Sequence, residues 1–208
     1  MRFLQYNGLV IKQAQELIIV TKSLTIPPLT ADLAQVLIDA ATIERRVDEL
    51  AAEINKDYKD IKEPLILVGV LKGSFIFLAD LCRKLRIPHV VDFIAISSYG
   101  TGGTTQGNVR MLMDIREDMS GRDVLIVEDI LDSGNTLAYL QRNFATRGAN
   151  SVKIATFLDK PERHKIELKL DYMGFKIPDV WVVGYGLDYK EKYRTLPYIA
   201  EMYPANEE

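Results

Sequence analysis

The stretch VLIVEDILDSGNTL, Val124 to Leu137, joins an unbroken apolar run to three carboxylates and a turn of small residues. Val124, Leu125, Ile126 and Val127 leave no polar face, the pattern of a strand covered on both sides in a parallel sheet. Burying them pins the next residues at the strand's carboxyl end, where Glu128, Asp129 and Asp132 crowd together. Crowded carboxylates repel, so a compensating ligand, cationic or rich in hydroxyls, is expected there. The turn Ser133-Gly134-Asn135-Thr136 offers the opposite chemistry. It opens a helix, whose free N–H groups and positive dipole end suit phosphate.

The same strand-to-helix grammar recurs along the chain. Leu65 to Leu71 is a continuous apolar strand, followed by Lys72-Gly73-Ser74 and a helix to about Leu85. Val36-Leu37-Ile38 reads as a short strand, with Asp39 capping a helix to about Tyr58. Ile43, Val47, Leu50, Ala51 and Ile54 recur there every three or four residues as one apolar face. Strands are expected at His89–Ser97, Val109–Asp114, Val152–Leu158 and Val180–Tyr185, and a helix over Thr136–Arg147. This alternation predicts an α/β fold with an open, mainly parallel twisted sheet flanked by helices. The strands around Tyr99–Gly107, a Gly/Thr-rich stretch, read as a long antiparallel hairpin with a mobile tip.

Composition sets the background. Of 208 residues, 48% are hydrophobic and 26% charged, as in an ordinary globular domain with a sizeable core. The single cysteine, Cys82, lies in an apolar run and is expected to be a buried, inert thiol. One cysteine excludes an intramolecular disulfide and a cysteine-rich zinc module, so a reducing, cytoplasmic setting is expected. A net charge of −3 and a pI near 5.6 supply no basic field for nucleic acid. No segment approaches the roughly 20 apolar residues that cross a membrane, and the N-terminus lacks a secretory apolar core.

Ligands of an open parallel sheet bind at the carboxyl ends of its strands, and two strands here end in helix-opening turns of small residues. Neither turn matches the Walker pattern, and Gly184-Tyr185-Gly186 fails the dinucleotide fingerprint. Acidic residues beside an anion-binding turn conflict unless one ligand carries both a phosphate and hydroxyls, with or without a divalent cation. A ribose 5-phosphate fits, since carboxylates accept hydroxyls and Mg²⁺ takes oxygen ligands. The second turn, Leu71-Lys72-Gly73, then suggests pyrophosphate on the same sugar.

On these residues the chain resembles the type I phosphoribosyltransferases, and more narrowly the hypoxanthine-guanine phosphoribosyltransferases. The resemblance runs from about Val36 to Pro204. It takes in Gly69-Val70-Leu71-Lys72-Gly73, Val91-Asp92-Phe93, Ser98-Tyr99, Leu158-Asp159-Lys160 and Gly174 to Asp179. It continues through Val183 to Tyr189 and Tyr193 to Ile199. Residues 1–30 lie outside it, as an unassigned N-terminal extension. It implies a domain over 31–208, with a small hood from about 31–45 and 160–208.

The resemblance also implies roles. Glu128 and Asp129 would bond the ribose hydroxyls near a Mg²⁺ shared with pyrophosphate. Asp132 would take the proton from purine N7, although an Asp there could equally cap the helix. Ser133, Gly134, Asn135 and Thr136 would cradle the 5-phosphate. Asn135 stands where some relatives carry Lys. Leu71, Lys72 and Gly73, with a cis Leu71–Lys72 peptide, and Arg194 would bind pyrophosphate. Lys160 would donate to the purine 6-oxo oxygen, Trp181 would stack on the base, and Val182 would read its edge. A lone Trp is otherwise a core residue, and Arg194 otherwise a surface one. Asp188 would hold a second Mg²⁺, and its neighbouring carbonyl would meet the purine 2-substituent. Ser98 and Tyr99 would close the hairpin as a lid. His89 and His164 read as surface residues.

The implied activity is purine salvage: phosphoribosyl pyrophosphate plus hypoxanthine or guanine gives a nucleoside monophosphate and pyrophosphate. A homodimer or homotetramer goes with it. Two rival readings share parts of this pattern. A receiver-type phosphoacceptor also opens with an acidic strand end, but at the start of its domain. A phosphoribosyl-pyrophosphate-sensing regulator would lack the base or the lid. A phosphoribosyltransferase preferring xanthine is a further alternative.

Overall fold

The computed structural model describes residues 33–99 and 108–203. Residues 100–107 of the expected lid, and all of the N-terminal extension, lie outside them. Elements run β1 (Leu33–Ile38), α1 (Ala40–Asp57), β2 (Leu65–Leu71), α2 (Phe75–Lys84), β3 (His89–Tyr99) and β4 (Asn108–Met113). They continue with β5 (Asp123–Leu131), α3 (Asn135–Thr146), β6 (Ser151–Asp159), β7 (Tyr172–Lys176), β8 (Val182–Val183) and β9 (Ile199–Met202).

The main sheet has six strands in the order β4-β3-β2-β5-β6-β7. All neighbours are parallel except β3 and β4, which form the expected antiparallel hairpin. The apolar run of β5 is buried throughout because alternate residues serve opposite faces. Leu125 and Val127 pack with α1 and α2 on one side. Val124 and Ile126 pack with Leu137, Leu140 and Phe144 of α3 on the other. Helix α1 buries the face its periodicity marks, and its start is capped as expected: the Thr42 N–H donates to Asp39 Oδ1 at 2.8 Å. Cys82 is only partly buried, packed against the core from α2, with its Sγ donating to the Ala79 carbonyl. No helix among the described residues is long and apolar enough to cross a membrane.

A second sheet of three antiparallel strands, β1-β9-β8, joins the two ends of the described chain. Two details depart from expectation. Tyr172–Lys176, inside the stretch expected for the hood, instead continues the main sheet as its edge. The strand expected over Val180–Tyr185 shrinks to Val182–Val183, because Gly184, Tyr185 and Gly186 all take positive φ and leave extended geometry.

Candidate active site

Parallel pairing of β2 with β5 places Gly69 opposite Val127, so the two phosphate-suited turns emerge side by side. A cleft between them is lined by Val70, Leu71, the segment Glu128 to Gly134, Thr136 and Leu137. The Leu71–Lys72 peptide is cis. Behind it, the Ser74 hydroxyl donates to the Val70 carbonyl at 2.7 Å and closes the turn. Any side chain at Gly73 would collide with the Asp129 carboxylate, and one at Gly186 with the Gly73 carbonyl. The loop 71–74 is thus held between β5 and the 184–188 turn.

The acidic pair is electrostatically loaded. Glu128 is buried, and its Oε2 has no hydrogen-bond partner. Burial first, and then the Asp129 charge, push the Glu128 carboxyl well above the ordinary carboxylate range. Burial also raises Asp129, against the opposing Ile130 N–H, which donates to its Oδ1 at 2.8 Å, and the charge of Arg194. An orphaned, buried carboxylate oxygen beside a cleft calls for a donor or cation from a ligand.

The turn beyond is built for an anion. Gly134 adopts φ 83°, where a side chain is strained, and no side chain caps α3. The Asn135 amide reaches only Ser133 Oγ, at a long 3.5 Å, which leaves this helix opening weakly satisfied and suited to an anion. Asp132 does not cap the helix either. Its Oδ1 accepts from Arg163 Nε at 2.9 Å.

Lys160 follows β6, with its amide donating to the Leu131 carbonyl at 3.0 Å and its Nζ 3.6 Å from Asp179 Oδ1. Trp181 is 63% exposed, so the core reading of a lone Trp does not apply. Its carbonyl accepts from the Met202 N–H, while Val182 is buried in β8. Arg194 is mostly buried, contrary to a surface reading: Nη1 donates to the Gly186 carbonyl at 2.9 Å, and Nη2 lies 2.7 Å from Asp188 Oδ1. Asp188 Oδ2 accepts the Glu191 amide. The backbones of Ser98 and Tyr99 pair with Val109 and Asn108 at the end of the described hairpin.

The model of the phosphoribosyl transferase domain matches residues 36–190. Hypoxanthine phosphoribosyltransferase of Salmonella typhimurium is 48% identical over 168 residues, covering 81% of this chain and 94% of that protein. Hypoxanthine-guanine phosphoribosyltransferase of Bacillus subtilis is 46% identical over 174 residues, covering 84% and 96%. The chain belongs to the hypoxanthine-guanine phosphoribosyltransferase family. In three dimensions, the crystal structure of a hypoxanthine-guanine phosphoribosyltransferase from Bacillus anthracis superposes with a TM-score of 0.79 at 44% identity, covering 83% of this chain and 100% of that one.

Some residues of this phosphoribosyltransferase site escaped sequence reasoning. Glu191 pairs with Lys72 Nζ at 2.9 Å and with Arg194 Nη2 at 3.2 Å. Arg163 contacts Asp132 and, at 3.7 Å, Asp179 Oδ2. His164, read as a surface residue, is partly buried with Nε2 2.7 Å from Oδ1 of buried Asp159. The only available signal was charge density in Asp159-Lys160-Pro161-Glu162-Arg163-His164 beyond an apolar strand. Partners that lie on other segments leave no local pattern.

Among the described residues, no group of three or more His, Cys, Asp or Glu forms a ready-made metal site. Glu128, Asp129 and Asp188 are not gathered into one such group. Mg²⁺ keeps waters and phosphate oxygens and needs only one or two protein carboxylates. The unpartnered Glu128 Oε2 is a suitable donor atom.

Proposed function

We propose that this phosphoribosyltransferase moves the 5-phosphoribosyl group from phosphoribosyl pyrophosphate to N9 of hypoxanthine or guanine, giving IMP or GMP and pyrophosphate. The observation that carries the reading is the adjacency of loop 71–74, the Glu128–Asp129 pair and the uncapped α3 turn at one cleft. In this reading Glu128 and Asp129 accept the ribose hydroxyls, and Ser133, Gly134, Asn135 and Thr136 hold the 5-phosphate. Leu71, Lys72, Gly73 and Arg194 take pyrophosphate.

Lys160 donates to the 6-oxo oxygen, where adenine carries an amino group instead. Trp181 offers its exposed ring for stacking, and the Trp181–Val182 backbone reads the base edge. Asp132 accepts the N7 proton, and Ser98 and Tyr99 shield the ribosyl cation from water. Glu128, Asp129 and Asp188 are the residues that would hold Mg²⁺, which when bound would supply positive charge against pyrophosphate. The enzyme is expected in the cytoplasm. A homodimer or homotetramer is also proposed. Light scattering on the purified protein checks this.

Pyrophosphate release measured with hypoxanthine, guanine, xanthine and adenine tests the reading. Turnover with the first two and none with adenine is expected. Fastest turnover with xanthine would change the substrate. Tight phosphoribosyl-pyrophosphate binding without any turnover would leave a sensor instead.

A further inference from the structure

The segment after β6 lies along the approach to the phosphate turn, and three consecutive residues there, Leu131 to Ser133, are tied to it. The Lys160 amide donates to the Leu131 carbonyl at 3.0 Å, and the Lys165 amide donates to the Ser133 carbonyl at 3.1 Å. Between them, Arg163 Nε donates to Asp132 Oδ1 at 2.9 Å. The other end of the same guanidinium faces Asp179 Oδ2 at 3.7 Å, and Asp179 Oδ1 faces Lys160 Nζ at 3.6 Å. One row of charges therefore runs Asp132, Arg163, Asp179, Lys160. Its ends are the two side chains that the reading above assigns to purine N7 and to the 6-oxo oxygen.

The pair contributes little to folding. The Arg163 and Asp132 side chains are 52% and 46% exposed, and ion pairs this wet are screened. Its consequence is geometric. A carboxylate free to rotate has many orientations, whereas a fixed guanidinium donor selects one.

We propose that Arg163 is a positioning residue: it aims the Asp132 carboxylate and, through Asp179, couples that aim to Lys160. This rests on Asp132 being the N7 base. Asp179 is the shared anchor, so both purine-facing groups move together when the row is broken. Phosphoribosyl pyrophosphate sits on other residues and is left alone.

The test is a mutant cycle on the full chain, with steady-state kinetics on hypoxanthine and phosphoribosyl pyrophosphate. Arg163→Gln should lower kcat about ten- to a hundredfold, the scale of a misplaced reacting group, with KM for phosphoribosyl pyrophosphate held within about twofold. Arg163→Lys, which keeps one donor, should recover part of the loss. In an Asp132→Asn background, Arg163→Gln should change kcat by less than about twofold, because coupled residues are non-additive. An undiminished loss in that background would overturn the proposal, as would Arg163→Gln with wild-type kcat beside an impaired Asp132→Asn. So would a tenfold rise in KM for phosphoribosyl pyrophosphate at unchanged kcat, which puts Arg163 on a phosphate. Wild-type kcat in Asp132→Asn alone would instead remove the base reading, and this proposal with it.

Discussion

Glu191 holds Lys72: Oε1 lies 2.9 Å from Nζ, while its other oxygen lies 3.2 Å from Arg194 Nη2. Two cations assigned to pyrophosphate are thus bridged by one internal carboxylate. Those contacts, Lys72 first, hold the Glu191 carboxyl below the usual range, so it stays charged at neutral pH. On the proposed assignment of Lys72 and Arg194 to pyrophosphate, the ligand would have to displace it. Glu191→Gln should therefore tighten product inhibition by pyrophosphate about two- to fivefold, the worth of an exposed ion pair. Product-inhibition kinetics at low and high salt check this, and the difference should narrow as salt screens the pair.

Asp132→Asn removes the proton acceptor at nearly unchanged shape. The expected result is a fall in kcat of about 10²–10⁴-fold, with equilibrium binding of phosphoribosyl pyrophosphate little changed. Stopped-flow turnover beside calorimetric binding separates the two.

Lys160→Ala should raise KM for hypoxanthine and guanine and blunt discrimination against adenine. Asp179 then loses one of its two cations, but the sugar-phosphate turn keeps its backbone bonds. An equal loss of phosphoribosyl-pyrophosphate affinity would contradict the assignment.

Gly73→Ala puts a methyl group into the Asp129 carboxylate. Either loop 71–74 or Asp129 must shift, and both belong to the proposed sugar-pyrophosphate site. kcat/KM for phosphoribosyl pyrophosphate should fall about a hundredfold, as expected for displacement by an ångström. Circular dichroism should show that the fold persists.

Glu128→Gln tests the price of the acidic pair. Burial and the neighbouring charge raise the folded pKa above the unfolded one, so the folded chain binds more protons. Stability of the ligand-free protein then falls as pH rises from the ordinary carboxylate range through that raised pKa. Removing the charge should increase Tm at neutral pH, by about 2–4 °C per kcal/mol recovered, and weaken ribose binding. Calorimetry with and without phosphoribosyl pyrophosphate reads both effects.

The sequence by itself determined five of the six strands of the main sheet, both turns and the carboxylates at their mouths. Those depend on short-range pattern: a strand buried on both faces must be apolar throughout, and a helix opening must begin with small or capping residues. Asp39 and the α1 face were legible for the same reason. Tyr172–Lys176 was not, since an edge strand of five residues with a central Gly carries no periodic signal. Nor was the break after Val183, which three consecutive positive φ values impose. Tertiary structure alone decided that Gly73 lies against Asp129, that Glu191 bridges Lys72 and Arg194, and that Arg163 reaches Asp132. Each joins segments distant in sequence, brought together by strand order and register, which no local stretch encodes.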